Sequence, residues 1–123
     1  MTTALAFELT IFTADVDAAR TFYGERLGCT IEQTGADSLL AEREGLRLRI
    51  EGGARPRRRG RRWMQEAGVL VTLVPRDFDA LLRDLERRGV ELLGGITTDP
   101  EGRRYAGFAD PDGNLFEIME RQL

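Results

Sequence analysis

The segment Asp15-Val16-Asp17-Ala18 is echoed 62 residues later by Asp77-Phe78-Asp79-Ala80, so one half of the chain repeats the other. In each segment the first Asp suits a helix N-cap, and the second suits the positive end of the helix dipole. The first helical stretch closes at Leu27-Gly28 and the second at Arg88-Gly89, with Gly at the position that follows a helix. Ala19, Phe22, Tyr23 and Leu27 share one helical face, as do Phe78, Leu81, Leu82 and Leu85. A strand is expected before each helix, over Ala6–Thr13 and Val69–Val74. Three follow each helix: Cys29–Thr34, Ser38–Glu42 and Leu46–Glu51, then Glu91–Gly94, Arg104–Ala109 and Leu115–Glu120. Each half therefore reads β-α-β-β-β, and the class is α+β.

The last two strands flank Asp110-Pro111-Asp112-Gly113. Asp first, Pro second and Gly fourth fit a type I turn, and the apolar flanks make the unit a hairpin. Glu117 is out of place in Leu-Phe-Glu-Ile-Met. It faces either solvent or a cleft that uses a charge.

Composition removes several functions. The chain has no His, the commonest metal ligand and general acid/base, so Ser-His-Asp and Cys-His machinery is excluded. It has no Lys, so all 18 basic residues are Arg and Schiff-base chemistry is excluded as well. The lone Cys29 rules out an internal disulfide and fits a reducing compartment; beside Gly28 at a strand start it reads as a core residue. A net charge of −3 argues against a nucleic-acid binder. No apolar run reaches membrane-spanning length, so no membrane association and a cytoplasmic location are expected. Gly94-Gly95 reads as a turn, and no glycine-rich phosphate loop is present.

Three regions are expected: a first module over residues 1–53, a linker over 54–67 and a second module over 68–123, together one compact domain. Residues 54–62 of the linker carry six Arg. Such a run is either an anion or nucleic-acid contact or a solvated loop, and the acidic balance of the chain favours the loop.

The repeat, Phe22-Tyr23 before Leu27-Gly28, the Asp-x-Asp-Ala openings and the Asp110-Pro111-Asp112-Gly113-Asn114-Leu115-Phe116-Glu117 run resemble the vicinal oxygen chelate superfamily. That superfamily includes glyoxalase I, extradiol dioxygenases, fosfomycin-resistance enzymes and bleomycin-resistance binding proteins. The second half looks nearest the bleomycin-resistance, antibiotic-binding branch. The resemblance implies two βαβββ modules whose curved mixed sheets surround a cleft, with helices on the outer face. It also implies a homodimer.

Enzymes of that superfamily hold a divalent metal with residues of the first and last strand of each module. Carried onto this chain, those positions fall on Glu8, Arg49, Leu70 and Glu117. Leu offers no ligand atom and Arg no lone pair. The expectation is therefore no metal and no other cofactor, with the Arg49 guanidinium paired to Glu8, Glu117 or both. A divalent metal completed by a neighbour such as Glu51 is the alternative.

Strand alternation then adds Thr10, Phe12, Arg47, Thr72 and Leu115 to the expected cleft lining. Trp63 and Tyr105 are the aromatic candidates for its rim. No catalytic residue is singled out. The function implied is binding and sequestration of a small molecule, an antibiotic or aromatic metabolite. One alternative is a metal-dependent lyase, isomerase, dioxygenase or thiol transferase of the same superfamily. Another is a regulatory module acting through the Arg-rich linker.

Overall fold

The computed structural model describes residues 7–53 and 69–121. Trp63 and the Arg run lie outside them. The chain divides into two compact units, residues 1–56 and 57–123.

In the first unit, β1 (Leu9–Phe12) leads into α1 (Val16–Thr21), which continues as a π-helical stretch over Phe22–Arg26. The strands β2 (Thr30–Gly35), β3 (Ser38–Arg43) and β4 (Leu46–Glu51) follow. The sheet order is β1-β4-β3-β2, with β1 parallel to β4 and the other pairs antiparallel. The second unit repeats this with β5 (Val71–Leu73), α2 (Phe78–Arg87), β6 (Leu93–Thr98), β7 (Arg104–Ala109) and β8 (Leu115–Met119). Its order is β5-β8-β7-β6, again with one parallel pair, β5 and β8. Two mixed four-stranded sheets, each with its helix, make the α+β reading correct.

The helix boundaries follow from their caps. Asp15 accepts from the Ala18 backbone N–H at 3.1 Å, and Asp77 from that of Ala80 at 3.0 Å. Each caps its helix from extended backbone, at φ −143° and −127°. Gly28 ends the first helical stretch at φ 78° and Gly89 follows the second at φ 88°, a left-handed conformation that glycine adopts without steric cost. The π stretch departs from the simple helix expected: the Leu27 N–H reaches back to the Phe22 carbonyl at 2.8 Å. Gly24 lies within this stretch, where a Cβ would sit 3.2 Å from Ile31 of β2, so glycine permits the close approach of helix to strand.

One core lies between helix and sheet in each unit. Ala19, Tyr23 and Leu27 are buried with Ile11, Leu39, Ala41, Leu48 and Ile50. In the second unit Phe78, Leu82 and Leu85 are buried with Ala106, Phe108, Phe116 and Ile118. Phe108 and Phe116, cross-strand partners, stack with ring centroids 5.1 Å apart.

The largest difference from the sequence reading is β6. It runs over Leu93–Thr98 rather than Glu91–Gly94. Gly94 and Gly95 belong to the strand, at φ 75° and 73°, and the register against β7 shifts between Leu93 and Thr97. A glycine pair signals a bulge as well as a turn, and the β-branched Thr97-Thr98 beyond it continues the ladder. The edge strands β1 and β5 are also shorter than expected.

Candidate functional site

The two sheets place the expected site residues at equivalent points. In the first unit Thr10 of β1 pairs with Arg49 of β4, which pairs with Leu40 of β3. In the second unit Thr72 of β5 pairs with Glu117 of β8, which pairs with Gly107 of β7. Glu8 immediately precedes β1 and Leu70 immediately precedes β5. Positions 8 and 49 of one module thus correspond to 70 and 117 of the other, the same four positions that the resemblance implied.

Alternation keeps these side chains off the helix-covered face. Ile11, Leu48 and Ile50 are buried, while Thr10, Phe12, Arg47 and Arg49 are exposed. Glu117 and Tyr105 are half-buried on the face opposite Phe116, Ile118 and Phe108. Leu70 is 43% exposed, whereas Leu115, at the start of β8, is 3% exposed and presents almost no surface.

Arg49 Nε donates to Glu8 Oε1 at 2.8 Å. The same face carries two further polar pairs. Arg47 donates to Glu42 at 3.4 Å, and Ser38 Oγ donates to Glu51 Oε2 at 2.7 Å. In the second unit Thr72 Oγ1 donates to Glu117 Oε1 at 3.1 Å. Each expected carboxylate of the site therefore has a partner from its own sheet.

Sequence reasoning missed Leu40, Ser38 and Glu42 as members of this face. Their signal was present: Leu39 and Ala41 are apolar and buried, so the intervening residues of β3 point the other way.

The Asp-Pro-Asp-Gly motif has a structural task. Asp110 is 1% exposed, and its Oδ1 accepts from the backbone N–H of Asp112 at 3.0 Å and of Asn114 at 2.8 Å. Its Oδ2 accepts from Asn114 Nδ2 at 2.8 Å. The turn closes through Gly113 N–H to the Asp110 carbonyl at 3.0 Å, with Gly113 at φ 85°. This fixes where β8, and so Glu117, begins.

Residues 6–118 match the model of the Glyoxalase/Bleomycin resistance protein/Dioxygenase superfamily. The chain belongs to this superfamily. Among solved structures, the superfamily member from Alicyclobacillus acidocaldarius is 25% identical, with a TM-score of 0.78 over 93% of this chain and 89% of that one. A member from Sphaerobacter thermophilus is also 25% identical, at a TM-score of 0.67 over 97% and 98%. Lactoylglutathione lyase from Agrobacterium tumefaciens shares the fold at a TM-score of 0.69 and 15% identity, over 97% and 95%.

A divalent metal of the kind bound by enzymes of the superfamily does not fit the residues this member places at those positions. In the first unit Arg49 brings a fixed positive charge already bonded to Glu8, and in the second Leu70 has no donor atom. Among the described residues no group of three or more His, Cys, Asp or Glu is placed to hold a metal ion. No helix among them is long and apolar enough to cross a membrane.

Among the described residues, a separate electrostatic cluster forms around Arg104. Arg104 donates to Asp79 Oδ1 and Oδ2, each at 3.0 Å, and to Glu120 Oε2 at 2.7 Å. Its guanidinium also lies 4.8 Å from the centre of the Phe78 ring. The Arg104 hydrogen bonds hold both carboxyls below their ordinary range, and they hold the guanidinium firmly protonated. This cluster ties the start of α2 to β7 and the end of β8, so it is a clasp of the fold rather than part of the site.

Proposed function

We propose that this superfamily member is a small-molecule binding and sequestration protein that works without a metal, its ligand an antibiotic or aromatic metabolite. The observation that carries the reading is Arg49 bonded to Glu8 at a position where related enzymes need a metal ligand. A cation brought there would meet a like charge, and one or two carboxylates alone hold a hard cation only weakly. The surroundings suit an organic ligand instead. In the first unit Phe12 and Leu40 offer apolar surface, while Thr10 and Arg49 offer donors. In the second, Leu70 offers apolar surface beside Thr72, whose hydroxyl already donates to Glu117. A cytoplasmic homodimer is part of the same proposal. Exposed Leu93 and Ile96 on edge strand β6 support self-association.

The test is a thermal-shift screen of metal-stripped protein against divalent metals and a panel of aromatic antibiotics. Ligands that bind only the folded state raise the melting temperature. The expected result is a rise with members of the drug panel and none with Ni²⁺, Zn²⁺, Mn²⁺ or Fe²⁺. A large rise with a metal would favour the enzyme alternative and overturn the proposal.

A further inference from the structure

We infer that the free edge of the Arg49 guanidinium is an anion receptor, and that the ligand class is a planar organic carboxylate; the inference rests on the binding reading above. Arg49 uses Nε alone, on Glu8 at 2.8 Å, and neither Nη1 nor Nη2 has a partner among the described residues. Its side chain is 52% exposed. Arg104 shows the contrasting case, with its donors spent on two carboxylates and its planar face on the Phe78 ring. The two arginines are chemically identical, but only Arg49 keeps a fork of donors pointing away from its structural partner.

That fork matches a carboxylate, whose two oxygens accept two parallel N–H bonds. Glu8 fixes the plane of the guanidinium from the Nε side, so less rotational freedom is lost when an anion docks on the other. The neighbours select an aromatic acid over a simple one. Thr10 and Leu40 flank Arg49 on the same rung of the sheet, and Phe12 lies on the same face, 56% exposed. The Thr10 hydroxyl supplies a further donor, and the Phe12 ring and Leu40 supply apolar surface for a planar group.

The test uses a matched pair of probes, 1-naphthoate and 1-naphthamide, titrated into full-length protein by calorimetry and by arginine N–H NMR. The acid is expected to bind about tenfold more tightly than the amide, the gain of a charge-assisted pair. It is expected to shift the Arg49 guanidinium resonances. R49Q should erase the preference for the acid. E8Q keeps an acceptor for Nε but removes a competing negative charge, so it should tighten the acid by roughly threefold. A purely structural ion pair would make both variants weaken binding together. R49K keeps the charge without the fork and should retain only part of the preference; it serves if R49Q does not fold.

Equal binding of acid and amide would overturn the inference while leaving the binding proposal standing. So would parallel losses in R49Q and E8Q, or unshifted guanidinium resonances at saturating acid. Failure of the wider reading would show separately, as stabilisation by metals in the thermal screen.

Discussion

Thr72 and Glu117 face each other across β5 and β8, joined by a 3.1 Å hydrogen bond at the rung where the other module places Thr10 and Arg49. The repeat therefore keeps the threonine and changes the charge of its partner. One module presents a carboxylate and the other a guanidinium.

Replacing Arg49 with Ala should cost little stability. Both members of its pair are well exposed, Arg49 at 52% and Glu8 at 39%, and solvent screens such pairs to ~0.2–1 kcal/mol. Urea unfolding of R49A should move by no more than that. A loss of several kcal/mol would show that the pair supports the fold.

Asp110→Ala should be far more damaging. It removes a buried carboxylate that accepts three hydrogen bonds, two of them from backbone N–H groups of a part-buried turn. The expected loss is about 2–4 kcal/mol, from several hydrogen bonds to one charged acceptor. D110A unfolding at an unchanged urea midpoint would refute this account of the motif.

Gly52→Ala tests a second close approach. A Cβ at Gly52 would stand 2.8 Å from Val16 Cγ2 and 3.0 Å from Asp37 Cβ, and Gly52 N–H already donates to the Asp37 carbonyl at 2.8 Å. Overpacking of this kind costs ~1–3 kcal/mol, which a melting curve detects. A Cβ added at Gly45 would meet no atom within 4 Å, so G45A is the control that should stay close to wild type.

The pH dependence of stability should lie on the acid side. The Arg104 hydrogen bonds lower the carboxyls of Asp79 and Glu120 from ordinary values of 3.8 and 4.5. A lowered folded-state value stabilises the fold above the ordinary value, and that stability is lost as pH falls through the lowered one. Urea midpoints should therefore fall below about pH 4.5 in the wild type, and less steeply in R104Q. With no His in the chain, no histidine contributes a slope between pH 5 and 8. Identical acid limbs in the two proteins would remove Arg104 from the explanation.

Much of the architecture was legible in sequence because its signals are local. Asp15 and Asp77 announce helix starts through their own side chains, and Gly28 and Gly89 announce ends through φ. Alternation in β4 separated Leu48 and Ile50 from Arg47 and Arg49. The bulge in β6 was not legible, because a Gly-Gly pair permits both a turn and an irregular strand. Pairing of Leu93, Thr97 and Thr98 with β7 selects the strand. Leu115 shows a further limit: strand parity put it beside Glu117, but its position next to the Asp110 turn leaves it buried.

The sequence by itself determined the repeat, the module order and the absence of His and Lys chemistry, since these depend on residue identity and spacing along one chain. Tertiary structure decided which charge meets which. Glu8 and Arg49 are 41 residues apart, and their bond exists because β1 runs parallel to β4 in one particular register. A slip of one residue in that register would turn the side chains of β1 to the other face and take Glu8 away from Arg49, so the partner of a charge in a sheet is a property of strand pairing that no local pattern encodes.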